Sequence, residues 1–202
     1  MSYRVWCLLP EQVPQYQSVL GTNSVFHLPY GHVDGYYDFF WADDAHRDID
    51  FFFSGSLTPY RKEVLGRLTA AKFRCVWMDG GAAQLIRSEA IARSKVCLAL
   101  RQDETWGSPS IARIHYHLMA KSYLLAEKCE EASELDDYIE IVEPEYFTEV
   151  CIETAVRGGT ARLGELQHQR FRESTNVTAA VSAILAASLK GKMRRPSAPA
   201  FT

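Results

Sequence analysis

Two short turns built from glycine and serine stand where the chain could hold an anion. At Ser54-Gly55-Ser56 an apolar run gives way to small residues and then a helix start. Backbone N–H groups can approach a phosphate closely there, and the dipole of the helix favours negative charge. Arg61 and Lys62 follow within the first part of that helix. Arginine offers a diphosphate a planar bidentate fork and lysine a point charge. A tight turn with solvated surface cations accounts for the same residues. The second turn, Gly107-Ser108-Pro109-Ser110, opens a helix that carries Arg113. The anion argument applies again, beside the ordinary alternative that Ser108 or Ser110 caps the helix.

Other chemistry is thinner. Neither GxxxxGK[ST] nor GxGxxG occurs, so the first turn is not a Walker loop or a dinucleotide fingerprint. His115 and His117 flank Tyr116, and positions two apart on a helix point to different faces, which argues against a shared metal. His27 and His32 surround Pro29-Tyr30-Gly31, where either can carry a proton near neutral pH, or simply pack or face solvent. The five cysteines, Cys7, Cys75, Cys97, Cys129 and Cys151, are scattered with no CxxC pair. Reduced thiols follow, and no metal site is expected. Spacing alone assembles no catalytic triad, so the catalytic residues stay unassigned.

The elements that must position these turns follow from periodicity. Short apolar runs alternate with segments of helical period, the signature of crossover units that build a parallel sheet covered on both faces. The clearest unit is a buried strand Ile49–Ser54 followed by a helix that Thr58-Pro59 starts, with Val64, Leu65 and Leu68 on one stripe. Further strands are expected at 74–78, 95–100, 123–126 and 138–142. Helices are expected over 85–91, 111–119, 145–156 and 177–189. Before them, 3–9 reads as a strand, 11–20 as a helix and 24–28 as a strand. The fold class is therefore α/β, a Rossmann-like three-layer sandwich with a mostly parallel sheet. In open sheets of this kind ligands bind outside the carboxyl ends of the strands, so the two turns can share a pocket.

Composition sets outer limits. The chain has 202 residues, 47% hydrophobic and 23% charged, with a net charge of −3. That suits one substantial domain with an appendage. No apolar run approaches the roughly 20 residues a membrane span needs. No signal-peptide pattern is present either, and a cytoplasmic location is expected. The net charge argues against nucleic acid as a partner, although 190–195 is basic. We divide the chain into an N-terminal strand–helix remnant with linker (1–47), a Rossmann-like donor-binding domain (48–189) and a basic tail (190–202) expected to be disordered. The acidic segment 127–153 reads as a solvated face.

Taken in order, His27-Leu28-Pro29-Tyr30-Gly31, Asp48 to Ser56, Arg61, Ala92 to Leu100 and Arg113 to Leu118 resemble the spore-maturation-type bacterial glycosyltransferases. That resemblance implies the GT-B architecture, two Rossmann-like domains facing a cleft, with this chain covering the carboxyl-terminal, nucleotide-sugar-binding half from about His27 to Glu127. It implies that Gly55, Ser56 and Arg61 lie near the donor diphosphate, and that Glu127 binds a ribose or sugar hydroxyl. With the second turn this gives Gly55, Ser56, Arg61, Ser108, Ser110 and Arg113 as the expected diphosphate site. Many relatives carry Glu one turn before the helix arginine, where this chain has Ser110. The residues before His27 supply only the last strand and helix of an acceptor domain, so a partner or second copy is expected to complete the cleft, unless the chain is a truncated or degenerate form. A seam of Trp6, Phe39, Phe40 and Trp41 is the expected contact.

The expected function is that of a glycosyltransferase-like domain binding a nucleotide-diphosphate sugar as donor substrate, with no other cofactor and with possible transfer to an acceptor. The alternative is a non-catalytic Rossmann-like interaction module that lacks a complete active site.

Overall fold

The computed structural model describes residues 4–22, 24–34, 41–174 and 177–190, with the side chains of 188–190 left aside. Tyr3, Phe39, Phe40 and the tail from 191 onward lie outside the described residues. By internal contacts the chain forms two compact units, 34–174 and a smaller one that joins 1–33 to 175–202. The last helix thus goes with the N-terminal segment rather than with the sheet domain to which the sequence pattern attached it.

In the smaller unit, β1 (Val5–Cys7) and β2 (Val25–His27) pair in parallel through the helix α1 (Val13–Leu20), in the register Val5↔Val25 and Cys7↔His27. Gly21 ends α1 at φ +88°, a conformation natural to glycine. The helix α7 (Val177–Lys190) belongs to the same unit. Gly31 lies so close to its first residue that a Cβ there would meet Val177 at 3.0 Å.

The larger unit is a five-stranded parallel sheet. Its strands are β3 (Ile49–Ser54), β4 (Cys75–Met78), β5 (Ser94–Ala99), β6 (Leu124–Glu127) and β7 (Glu140–Val142), in the order β4-β3-β5-β6-β7. Alternation along β3 sends Phe51 and Phe53 to one face and Phe52 to the other, and all three are fully buried. Burying each such side chain contributes about 1.5–3 kcal/mol. On the Phe51/Phe53 face, α2 (Pro59–Ala70) delivers Val64, Leu65 and Leu68, and α5 (Phe147–Arg157) delivers Phe147, Cys151 and Ala155. On the opposite face lie α3 (Gln84–Ala92), α4 (Ile111–Met119) and α6 (Thr160–Ser174). The three-layer Rossmann-like sandwich read from the sequence is the observed fold.

Thr58 starts α2 as anticipated, its hydroxyl accepting from the Arg61 N–H at 3.3 Å. One element went unread. The helix α6 buries Thr160, Ala161, Gly164, Gln167, His168 and Phe171, a face with a single large apolar side chain in a strongly polar segment, and that composition hid its helical period. What seats it is close approach and hydrogen bonding. A Cβ on Gly164 would stand 2.5 Å from the Lys121 carbonyl oxygen. The Gln167 amide both donates to Leu124 O (3.1 Å) and accepts from Leu124 N (3.0 Å).

All five cysteines are free thiols. Among the described residues, no helix is long and apolar enough to cross a membrane, and no cluster of His, Cys, Asp or Glu could hold a metal ion.

Candidate functional site

The strand order reverses between β3 and β5, because β3–α2–β4 winds outward one way and the chain then returns to the other side of β3. A crevice opens at such a reversal, at the carboxyl ends of the strands. The residues that follow β3 and β5 at that edge are Gly55 to Leu57 and Leu100 to Gln102, and the N-terminus of α4 approaches from the next connection.

A small recess of about 30 Å³ sits there. That is room for one or two waters. Its walls include Arg61, Arg101, Ser108, Ser110, Arg113 and Glu127. Five of the seven residues expected to hold the donor therefore meet around one recess. Gly55 and Ser56 stand just behind. Gly55 has φ +142°, and a Cβ there would be 2.7 Å from Arg113 Nη2, so only glycine lets the guanidinium lie flat along the turn.

The individual side chains differ from what their types suggested. Arg61 is neither a solvated cation nor an open clamp, being only 6% exposed. Its Nε donates to Arg101 O (2.8 Å), Nη1 to Ser56 O (2.9 Å) and Nη2 to Leu100 O (3.0 Å). It knits the loops after β3 and β5 together, while Lys62 stays exposed in solvent. Ser108 donates to Glu131 Oε2 at 2.5 Å, so an acidic side chain already takes its hydroxyl. Ser110 caps α4 through its carbonyl, which accepts from Arg113 N (2.9 Å) and Ile114 N (3.0 Å), and its side chain makes no cap bond. Glu127 is 4% exposed, and both its oxygens are engaged, Oε1 by the Tyr60 hydroxyl (2.5 Å) and Oε2 by Arg101 N (2.7 Å). Burial raises its pKa, against the pull of those donors.

Arg113 is the exception. Its Nε donates to Ser54 O at 3.1 Å, and its guanidinium lies 5.1 Å from the centre of the Phe53 ring, as does that of Arg61. Its Nη1 is buried without a hydrogen-bond partner. Burial, and then the charge of Arg61, pull its pKa down to about 10. Among the described residues no carboxylate offsets them.

Sequence comparison adds nothing further, since neither a protein-family model nor a curated protein matches this chain. Structure comparison does. The crystal structure of TarM, a GT-B glycosyltransferase, matches over 92% of this chain with a TM-score of 0.55 and 9% identity. The chain has a glycosyltransferase-like fold. It spans 43% of the length of TarM, and at this identity the likeness is one of fold alone.

Within this glycosyltransferase-like fold, one site residue escaped the sequence reading. Arg101 lines the recess, stacks over Tyr60 at 5.6 Å, and keeps a buried Nε without a hydrogen-bond partner. Its signal was its place directly after the β5 run, but its weight depends on the strand order, which no local pattern reveals. The histidines stay out of the recess. His115 packs edge-on against Phe171 at 5.7 Å, whereas His117 is fully buried against Phe52, with Nδ1 2.9 Å from Ser122 Oγ. Burial pushes the His117 pKa down to about 3, so the ring is neutral.

Proposed function

We propose that the sheet domain binds the diphosphate of a nucleotide-diphosphate sugar at the recess where the strand order reverses, as the donor half of a glycosyltransferase related to the spore-maturation type. One observation carries this reading: Arg101 and Arg113, on two walls of one recess, each keep a buried guanidinium N–H without a partner. A buried donor left unpaired is costly, and an uncompensated buried cation more so. An anion with several acceptor oxygens meets both needs at once. Arg113 supplies the charge, Gly55 the room beside it, and Arg61 the fixed loops.

In the transfer step the bond from the anomeric carbon to the diphosphate oxygen breaks, and the departing oxygen gains negative charge. Guanidinium groups fixed in advance beside that oxygen stabilise it most when the charge develops. The acceptor hydroxyl forms the new bond and must lose its proton to a base. In the recess the sole carboxylate, Glu127, already has donors on both oxygens, and Ser110 stands where relatives place Glu. Those two features favour a second reading, a module that binds the donor without turning it over unless another chain supplies the acceptor side.

Calorimetric titration with UDP- and GDP-sugars tests the binding claim. Arg113→Ala is expected to weaken binding by roughly 30- to 100-fold, the loss of about 2–3 kcal/mol that a charged hydrogen-bonded contact supplies. Absence of binding to the unaltered protein at millimolar donor, or equal binding to the variant, would remove the proposal. Donor hydrolysis without acceptor separates the two readings.

A further inference from the structure

We infer that Tyr60 is a gate between the arginine-lined recess and a larger groove beside it, and that a nucleotide enters by displacing the Tyr60 hydroxyl from Glu127. This rests on the diphosphate reading above. The recess, at about 30 Å³, cannot contain a diphosphate, let alone a nucleoside. Next to it lies a groove of about 560 Å³, walled by Thr58, Pro59, Tyr60 and Glu63 on one side and Gln102 to Thr105 on the other. That volume falls within the range of small-molecule sites, about 300–1,000 Å³.

The two spaces share their walls. Tyr60 and Gln102 face the groove, while their chain neighbours Arg61 and Arg101 face the recess. Thr58 Oγ1 donates to Gln102 O at 2.6 Å and ties the rims together. Across this partition reaches one side chain, Tyr60, whose hydroxyl donates to Glu127 Oε1 at 2.5 Å beneath the Arg101 guanidinium. The other oxygen, Oε2, is held by a backbone N–H and is not free to open. Rotation of the Tyr60 side chain would therefore uncover Oε1 and join recess to groove, with the backbone in place.

The chemistry of Glu127 explains why the gate rests closed and what opens it. A buried carboxylate that loses a donor is destabilised, so Tyr60 stays until another O–H replaces it. At Oε1 the exchange is balanced, with one hydroxyl donor leaving and one from the ligand arriving, and the Arg101 Nη2 that donates to the Tyr60 hydroxyl at 3.4 Å is freed for the ligand as well. The ligand class so defined carries a diphosphate for the arginines and a hydroxyl for Glu127, as a ribonucleoside diphosphate does. Tyr60 is then a specificity-determining residue that imitates the ligand in its absence.

The test is calorimetry of the full chain with UDP and GDP, comparing the unaltered protein with Tyr60→Phe, Tyr60→Leu and Arg113→Ala. Release of the tether removes the closed-state penalty, and both Tyr60 variants are expected to bind the preferred nucleotide about tenfold more tightly. Thermal unfolding confirms that each variant is folded, and two variants of different shape guard against a failure of one. Affinity unchanged or weakened in the folded Tyr60 variants, with binding still dependent on Arg113, overturns the gate and leaves the diphosphate reading intact. No binding to any of the proteins, or binding indifferent to Arg113, overturns both.

Discussion

Arg93 and Arg113, at opposite ends of the parallel sheet, meet opposite surroundings. At the amino end, where β3, β4 and β5 begin, Arg74, Arg93 and Lys95 each meet a carboxylate, while Arg47 is held by the carbonyls of Ala42 and Ser94. Arg93 grips Asp48 through Nε (2.7 Å) and Nη2 (2.6 Å), Arg74 reaches the same Asp48 at 2.5 Å, and Lys95 meets Asp50 at 2.7 Å. The Arg93 guanidinium holds the Asp48 carboxyl well below the usual carboxylate range. At the carboxyl end Arg61 is spent on three backbone carbonyls, and Arg113 has one carbonyl and no acid. Arg74, Arg93 and Lys95 at one end are neutralised by the protein, and at the other Lys128 pairs with Glu143 while Arg113 has no carboxylate partner among the described residues. Neighbouring strands can thus carry arginines of the same type with unrelated purposes, and the discriminating fact is the acceptor each one meets.

The sharpest way to break this comparison is Arg61→Ala. It would orphan three carbonyls in the loops that frame the recess, and a loss of about 3 kcal/mol of folding stability is expected together with weaker donor binding. Arg113→Ala should leave the melting temperature unchanged or raised, because it removes a buried charge that no carboxylate among the described residues offsets. Equal destabilisation by the two changes, read by urea unfolding, would show that Arg113 is as structural as Arg61.

An effect of comparable size, reached only in acid, comes from His117, on the same helix α4 as Arg113. Its pKa is pushed down to about 3 by burial, against an ordinary value of about 6.5. Above about pH 6.5 both folded and unfolded chains hold it neutral, and its contribution is complete. Below that, the unfolded chain takes a proton that the folded one refuses, so stability falls by up to about 1.4 kcal/mol per pH unit until the folded pKa near 3 is reached. Urea midpoints between pH 7 and 4 should fall less steeply for His117→Gln than for the unaltered protein. Parallel slopes would place the acid sensitivity elsewhere.

The smallest effect belongs to the paired end. Asp48→Asn should lower the melting temperature slightly, less so at high salt, and leave donor affinity untouched. A change in donor binding would mean that the two ends of the sheet are coupled.

Much of the fold was legible because Phe51–Phe53, Val96–Leu98 and the Val64/Leu65/Leu68 stripe obey simple periods, and these residues make the core. The meeting of Arg61 and Arg113 was legible for a related reason, since both follow turns at strand ends and parallel strands share one carboxyl edge. Their division of labour was not, because which arginine meets a carbonyl and which meets nothing depends on loop paths. Ser108 shows the same limit. Its carboxylate partner, Glu131, comes from the acidic segment read as a solvated face, 23 residues further along. Arg101 escaped because it bears no periodic signature, and α6 because its strongly polar composition masks the apolar side it has.

Gln167 has a consequence of its own. With its amide giving and taking a proton bond at the Leu124 peptide, a side chain does the work of a neighbouring main chain and finishes the sheet from within a helix. Such a joint distinguishes shape and polarity rather than oiliness. A leucine of nearly the same volume would serve worse there than a smaller amide, and the segment after Gly159 belongs to the sheet's architecture despite its water-loving composition.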